Sequence, residues 1–279
     1  MSDISHAPTR SWLFTPAIRP ERFIKAVESG ADISIIDLED SVTPNDKAQA
    51  RKIAMQFLSS RPNSSLKIAL RINGMNTHAG IEDLHMLLEC RFFPDYIILP
   101  KTESAHLQIV DSLIMMAGSD TRLIGIIESV AGLNAVESIA DATPRLYGLM
   151  FGAADMAADI GATPAWEPLA LARARIVAAC AMKGLLAIDA PFFDIGDFSG
   201  LKEETLQALS FGFSAKSAIH PAQISVINTA FTPTTAEINH ARAVLTENAK
   251  GVGIVSGMMI DAAVARQARR LLARAGIFS

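Results

Sequence analysis

Short apolar runs rich in β-branched residues alternate along this chain with amphipathic stretches of helical length. The runs are 11–17 (SWLFTPA), 33–39 (ISIIDLE), 66–73 (LKIALRIN), 96–101 (YIILPK), 122–128 (RLIGIIE), 146–152 (LYGLMFG), 185–191 (LLAIDAP) and 215–220 (AKSAIH). Their hydrophobicity is continuous rather than alternating, as expected of strands covered on both faces, so a parallel sheet is predicted. Helices are predicted between them at 20–29, 46–58, 80–89, 103–117, 132–140, 167–183 and 202–211, with Pro20 suited to a first turn and Gly30 and Gly184 to C-caps. Eight such repeats between residues 11 and 220 predict an α/β fold of the (β/α)8 TIM-barrel type. A doubly wound open sheet would favour a GxGxxG turn after the first strand, and 14–20 reads FTPAIRP instead.

Beyond the eighth run the pattern changes. Residues 234–249 (TTAEINHARAVLTENA) predict a helix capped by Thr234 or Thr235, followed by a glycine-rich hinge (KGVGIVSG) and a last helix from 261 to 275. The expected organisation is a catalytic barrel over 1–230. Residues 231–279 then form a C-terminal helical extension and lid, not an independent domain.

The chain has 279 residues, half of them hydrophobic, and a formal charge of -4. That excludes disorder and argues against nucleic acid or an anionic membrane as partner. Cys90 and Cys180 are the only cysteines and have no zinc-ligand spacing. The N-terminus has no secretory pattern, and no run of about 18 apolar residues occurs. A cytoplasmic protein is the expectation. A mean hydropathy of +0.28 points to surface buried between subunits.

In a barrel the active site lies where the strands end, so the residues closing each run are the candidates. They are polar: Asp37, Glu39 and Asp40 on the second run, Arg71 on the third, Lys101 on the fourth, Glu128 on the fifth, Asp155 just past the sixth, Asp189 on the seventh and His220 on the eighth. Glu128 and Asp155, from neighbouring strands, suit Mg²⁺, which takes one or two carboxylates and keeps water in its other positions. The alternative is that each caps the helix after it. Arg71 offers a bidentate fork to a substrate carboxylate, or else an ion pair to Glu39 or Asp40. A barrel-end lysine such as Lys101 can form a Schiff base, although an ion pair is commoner. Asp37 and Asp189 read as ordinary hydrogen-bonding residues of the barrel mouth.

Residues 10–51 (RSWLFTPAIRPERFIKAVESGADISIIDLEDSVTPNDKAQAR) resemble the opening of the citrate lyase beta subunit family, within the wider group of malyl-CoA lyases, citramalyl-CoA lyases and HpcH/HpaI aldolases. LRINGMNT, ILPKTES, GIIESVAGL, LMFGAADMAADIG, SAIHPAQI and SGMMIDAAVARQARRLL extend the likeness in order over nearly the whole chain. The resemblance implies a Mg²⁺-dependent carbon–carbon lyase, with Mn²⁺ as substitute, that reversibly splits a 3-hydroxyacyl-CoA thioester. Malyl-, citramalyl- or citryl-CoA would give acetyl-CoA and a 2-keto acid.

The same resemblance implies a homotrimer or hexamer, metal held by Glu128 and Asp155, Arg71 gripping the keto acid, and Glu39 and Asp40 supporting the metal's waters and the thioester end. Lys101, Gly152, Ala153, Pro191 and His220 complete the expected substrate-binding set. Asp261 resembles the family's acid/base residue, lent by a neighbouring subunit; on its own it reads as the N-cap of the last helix. The tail departs from the family's DGKMID-like run, since Ser256-Gly257-Met258-Met259 has no lysine. Three alternatives stay open: a class II pyruvate aldolase without CoA, a citrate lyase subunit acting on a thioester carried by an acyl carrier protein, and a non-catalytic paralogue.

Overall fold

A computed structural model describes residues 9–60, 67–90, 92–250, 253–255 and 257–277. Eight parallel strands close into a barrel in sequence order, β1 (Ser11–Pro16), β2 (Ile33–Asp37), β3 (Lys67–Arg71), β4 (Tyr96–Leu99), β5 (Arg122–Ile127), β6 (Leu146–Phe151), β7 (Leu186–Asp189) and β8 (Ala215–Ala218), with β1 also paired to β8. The first four strands are followed by single helices, α1 (Glu21–Glu28), α2 (Lys47–Ser59), α3 (His78–Cys90) and α4 (Ser104–Met116). After β5 come α5 (Val130–Asn134) and α6 (Val136–Ala140), and after β6 come α7 (Ala153–Ile160) and α8 (Trp166–Lys183). Helices α9 (Phe198–Phe211) and α10 (Ile224–Phe231) complete the repeats. The predicted barrel is therefore present, with two helices unforeseen, α7 and α10. The single helix expected over 132–140 is two short ones.

Each strand buries both faces, which is why the runs are continuously apolar. Trp12, Ile33, Ile35, Ala69, Ile98, Ile124, Ile126, Met150 and Ile188 fill the barrel interior. Ile36, Leu70, Ile97, Leu99, Leu123, Leu149 and Ala187 pack outward under the helices. Because side chains alternate with period two, the inward rows continue to Phe14, Asp37, Arg71, Glu128 and Gly152 at the C-terminal ends. The interior is hydrocarbon below and polar at the top.

The same alternation sends Asp189 outward, beside Ala187. It is fully buried there, 3.0 Å from Arg173 of α8 and 2.6 Å from Lys216 of β8, and Lys216 also reaches Glu204 of α9 at 2.7 Å. Burial alone would raise the Asp189 carboxyl, but the two cations outweigh it and hold it below its usual range. Asp189 is thus a sheet-to-helix ion-pair acid, not a mouth residue, which corrects the reading from sequence.

Past α10, helix α11 (Thr235–Asn248) starts at Thr234, whose hydroxyl caps Glu237 while the Glu237 carboxylate returns to the Thr234 N–H. The expected hinge is instead an antiparallel hairpin, β9 (Gly253–Val255) and β10 (Met258–Ile260), turning at Gly257 with φ 81°. Ile254, Val255, Met258 and Met259 supply the extended, apolar flanks that favour a ribbon over a flexible link. Gly251 and Ser256, also part of the expected hinge and tail motif, lie outside the described residues. Helix α12 (Ala262–Arg274) packs on α11 around Ala241, Val244, Ile260, Ala268 and Leu272. Its Gln267, Arg270 and Arg274 face a cleft bounded by Arg10, Tyr147 and Ser214, where strands begin, so the arm lies at the end of the barrel opposite the mouth. Among the described residues no helix is long and apolar enough to cross a membrane.

Candidate active site

At the C-terminal ends of the strands a cavity of about 340 Å³ is lined by Phe14, Asp37, Asp40, Arg71, Glu128, Gly152, Asp155 and Pro191, among others. β2 and β3 set its charged wall. Asp37 and Arg71 are direct partners in the parallel register, so their side chains leave the sheet side by side. Arg71 Nε and Nη2 each donate to the Asp37 carboxylate at 2.7 Å. The carboxylate also accepts the N–H groups of Glu39 at 2.9 Å and Ser41 at 3.3 Å. Burial would lift the Asp37 carboxyl, but Arg71 prevails and holds it below the usual range. The guanidinium itself, also buried, is held above its ordinary value by Asp37. It lies 4.8 Å from the centroid of the Phe14 ring, a cation–π contact.

This arrangement revises the role expected of Arg71. Its bidentate edge is committed to Asp37, and only Nη1 turns toward other groups, 2.8 Å from Glu39 and 3.5 Å from Asp40. The ion-pair alternative named Glu39 and Asp40, whereas the main anchor is Asp37. The loop after β2 is tied down by Lys47 Nζ, which donates to the carbonyls of Leu38 and Glu39, both at 2.7 Å. Asn73 Nδ2 adds a 3.0 Å bond to Leu38 O. The LED segment therefore holds its acids in place.

Glu128 ends the inward row of β5, and its Oε1 accepts the Lys101 N–H at 2.7 Å. Across from it Asp155 sits in the first turn of α7, half exposed, with Lys101 Nζ 4.0 Å away. Neither carboxylate is a helix cap: Ser129 caps α5, and Gly152 occupies the N-cap position of α7. Gly152 is required sterically, because a Cβ there would stand 2.7 Å from Glu128 Oε2. Burial raises the Glu128 carboxyl to about 7 and the Glu39 carboxyl to about 8. In each case Arg71 offsets only part of the rise, and the neighbouring acids add to it.

Among the described residues no cluster of three or more His, Cys, Asp and Glu forms a ready cage for a metal ion. Two carboxylates with open space before them suit a hard cation that retains water, and the surroundings fit one. Glu39 Oε2 is buried and accepts no hydrogen bond, despite its ion-pair distance from Arg71. Two carboxyls are pushed up by burial and by neighbouring acids, and Gly152 leaves room beside Glu128. An added divalent cation would relieve all of these features.

The cavity thus gathers Arg71, Asp40, Glu128, Asp155, Gly152 and Pro191, with Glu39 adjoining through Arg71 and Lys101 at the rim. Ala153 is buried in the first turn of α7. His220 is exposed, and its Nδ1 accepts the N–H of Ala222 outside the lining. Asp261 caps α12, accepting from Ala263 at 2.8 Å and Val264 at 2.9 Å, and no described residue of its arm lines the cavity. Sequence reasoning passed over the apolar wall of Phe14, Ile126, Met150 and Phe193. Three of them lie on the inward rows, and that parity would have found them.

Residues 10–221 match the family model for HpcH/HpaI aldolase/citrate lyase. The chain belongs to this family. Among curated relatives in the family, L-malyl-CoA/beta-methylmalyl-CoA lyase of Cereibacter sphaeroides is 35% identical over 98% of this chain and 96% of its own length. Two solved structures show the likeness. RipC from Yersinia pestis is 66% identical with a TM-score of 0.73, covering 82% of this chain and 98% of its own. CitE from Mycobacterium tuberculosis, solved with magnesium, acetoacetate and coenzyme A, is 33% identical with a TM-score of 0.81, covering 97% and 99%.

Proposed function

We propose that this chain is a magnesium-dependent carbon–carbon lyase that reversibly cleaves a 3-hydroxyacyl-CoA thioester, of the malyl-, citramalyl- or citryl-CoA kind, into acetyl-CoA and a 2-keto acid. The observation that carries this reading is the single cavity that sets a fixed guanidinium, Arg71, opposite the Glu128 and Asp155 carboxylates. The relatives agree: one acts on malyl-CoA, and CitE binds magnesium, coenzyme A and a keto acid together.

The reaction needs three things. The hydroxyl proton must leave, negative charge must be tolerated as the bond between C2 and C3 breaks, and the thioester enolate must gain a proton at carbon. Glu128 and Asp155 would hold Mg²⁺, which supplies Lewis acidity toward the hydroxyl that becomes the keto carbonyl. Arg71, locked by Asp37, presents Nη1 to the keto acid's negative oxygens without having to reorganise. Glu39 and Asp40 flank that nitrogen and orient the substrate's thioester end. Gly152 and Pro191 line the site and Lys101 stands at its rim.

Among the described residues no acid/base group of the arm lines the mouth within one chain, so on this reading Asp261 is lent by a second copy, as the family resemblance implies. Exposed apolar side chains support such assembly: Met258 and Met259 on the hairpin and Phe193 at the rim are each more than half exposed. The family resemblance makes that assembly a trimer or a pair of trimers.

A coupled assay with malyl-, citramalyl- and citryl-CoA tests it. Cleavage of at least one, abolished by EDTA and restored by Mg²⁺ or Mn²⁺, is the expected result. Cleavage of hydroxy-keto acids without CoA would make the chain an aldolase, and turnover only of a carrier-bound thioester would make it a citrate lyase subunit. Inactivity of the folded oligomer on all of them would leave a non-catalytic paralogue.

A further inference from the structure

Lys101 is the only non-glycine residue with positive φ among those described, at 42°. A Cβ makes this left-handed backbone unfavourable, and lysine has no side-chain device that compensates. The conformation is imposed from both sides. Before it, β4 ends at Leu99 and Pro100. After it, Thr102 is buried, its hydroxyl donates to Leu99 O at 2.6 Å, and its N–H donates to Ile126 O of β5 at 3.2 Å. With its neighbours fixed in this way, the Lys101 N–H points at Glu128 Oε1, 2.7 Å away. The side chain, by contrast, is 60% exposed and reaches only to 4.0 Å from Asp155.

We propose that Lys101 is a positioning residue acting through its main chain: its strained amide pins one oxygen of Glu128, so that the other, beside Gly152, is presented to the cation. The proposal rests on Glu128 being a metal ligand. Backbone strain held at a site by surrounding contacts is a recognised way to pre-organise a ligand. A hydrogen bond to the second oxygen of a ligating carboxylate fixes its direction.

The test is Mg²⁺ binding to the full-length protein by isothermal titration calorimetry without substrate, in four variants. Lys101→Gly and Lys101→Asn lose the charge but tolerate positive φ, and both should bind Mg²⁺ within about threefold of wild type. Lys101→Val is just as neutral but cannot adopt the conformation, and it should bind about 10- to 100-fold more weakly. Lys101→Arg keeps charge and backbone and should match wild type. Equal weakening in Gly, Asn and Val would assign the effect to the ammonium and overturn the proposal, as would wild-type affinity in Val. If the Val variant does not fold, Thr102→Val replaces it: the turn loses its closing hydroxyl while Lys101 stays, and weaker Mg²⁺ binding is again expected. Glu128→Gln in the same titration separates the two layers. Unchanged affinity there would remove Glu128 as ligand and both readings with it, whereas lost affinity beside a flat Lys101 series would remove only the positioning role.

Discussion

Asp37→Asn isolates the contact on which the charged wall depends. The carboxylate is 2% exposed and takes both 2.7 Å bonds from Arg71 as well as the N–H groups of Glu39 and Ser41. Asparagine has the same shape but only one accepting oxygen, so its NH₂ must face a donor whichever way the amide is turned. Removing one partner of a buried pair costs about 3–5 kcal/mol. Here Glu39 and Asp40 still adjoin Arg71 Nη1, which places the cost at the lower end, about 3 kcal/mol. For a chain of 279 residues that corresponds to a fall in Tm of about 5 °C. Circular dichroism melts of metal-free protein at one fixed protomer concentration measure it. Arg71→Met should cost a similar amount, and the double variant less than the sum, because with both removed neither Asp37 nor Arg71 is left as the unpaired half of their ion pair. A fall under about 1 °C in Asp37→Asn, or strict additivity in the double variant, would refute the claim that this pair holds the wall together.

Two further outcomes follow from the site. Glu128 and Glu39 titrate near 7 and 8 in the folded chain against an ordinary value of 4.5, so the folded state keeps protons that the unfolded chain has lost. Stability of the metal-free protein should therefore fall as pH rises from 5 to 8, and Mg²⁺ should flatten the decline by replacing those protons; a Glu128→Gln variant with an unchanged pH slope would contradict this. Asp261→Asn and Arg71→Ala should each be nearly inactive alone and recover a fraction of wild-type activity when co-assembled, since some sites then combine an intact barrel with an intact arm. No recovery in mixed oligomers verified by mass would mean that Asp261 serves only as the cap of α12.

The barrel was legible in the chain because burial on both faces leaves strands no freedom to be polar. Its eight apolar runs match the eight strands to within a few residues. The polar residues that break those runs were legible for the same reason, since a charge at the end of a buried strand requires a partner or a ligand. Period-two parity separates Glu128 and Arg71, on inward rows, from Asp189, which faces the helices, a distinction that reading strand ends alone did not draw and the structure supplied.

What parity does not state is which acid meets which base. Arg71 had Glu39 and Asp40 within three residues of a neighbouring strand end, yet it chose Asp37, because the closed sheet's register sets those two side by side. The left-handed turn at Lys101 depends likewise on contacts between distant segments, Thr102 with Ile126 and Lys101 with Glu128. Strand composition is dictated by local burial, which each residue carries with it. Register and cross-strand pairing are set only when the eighth strand closes on the first, so they exist in no segment alone.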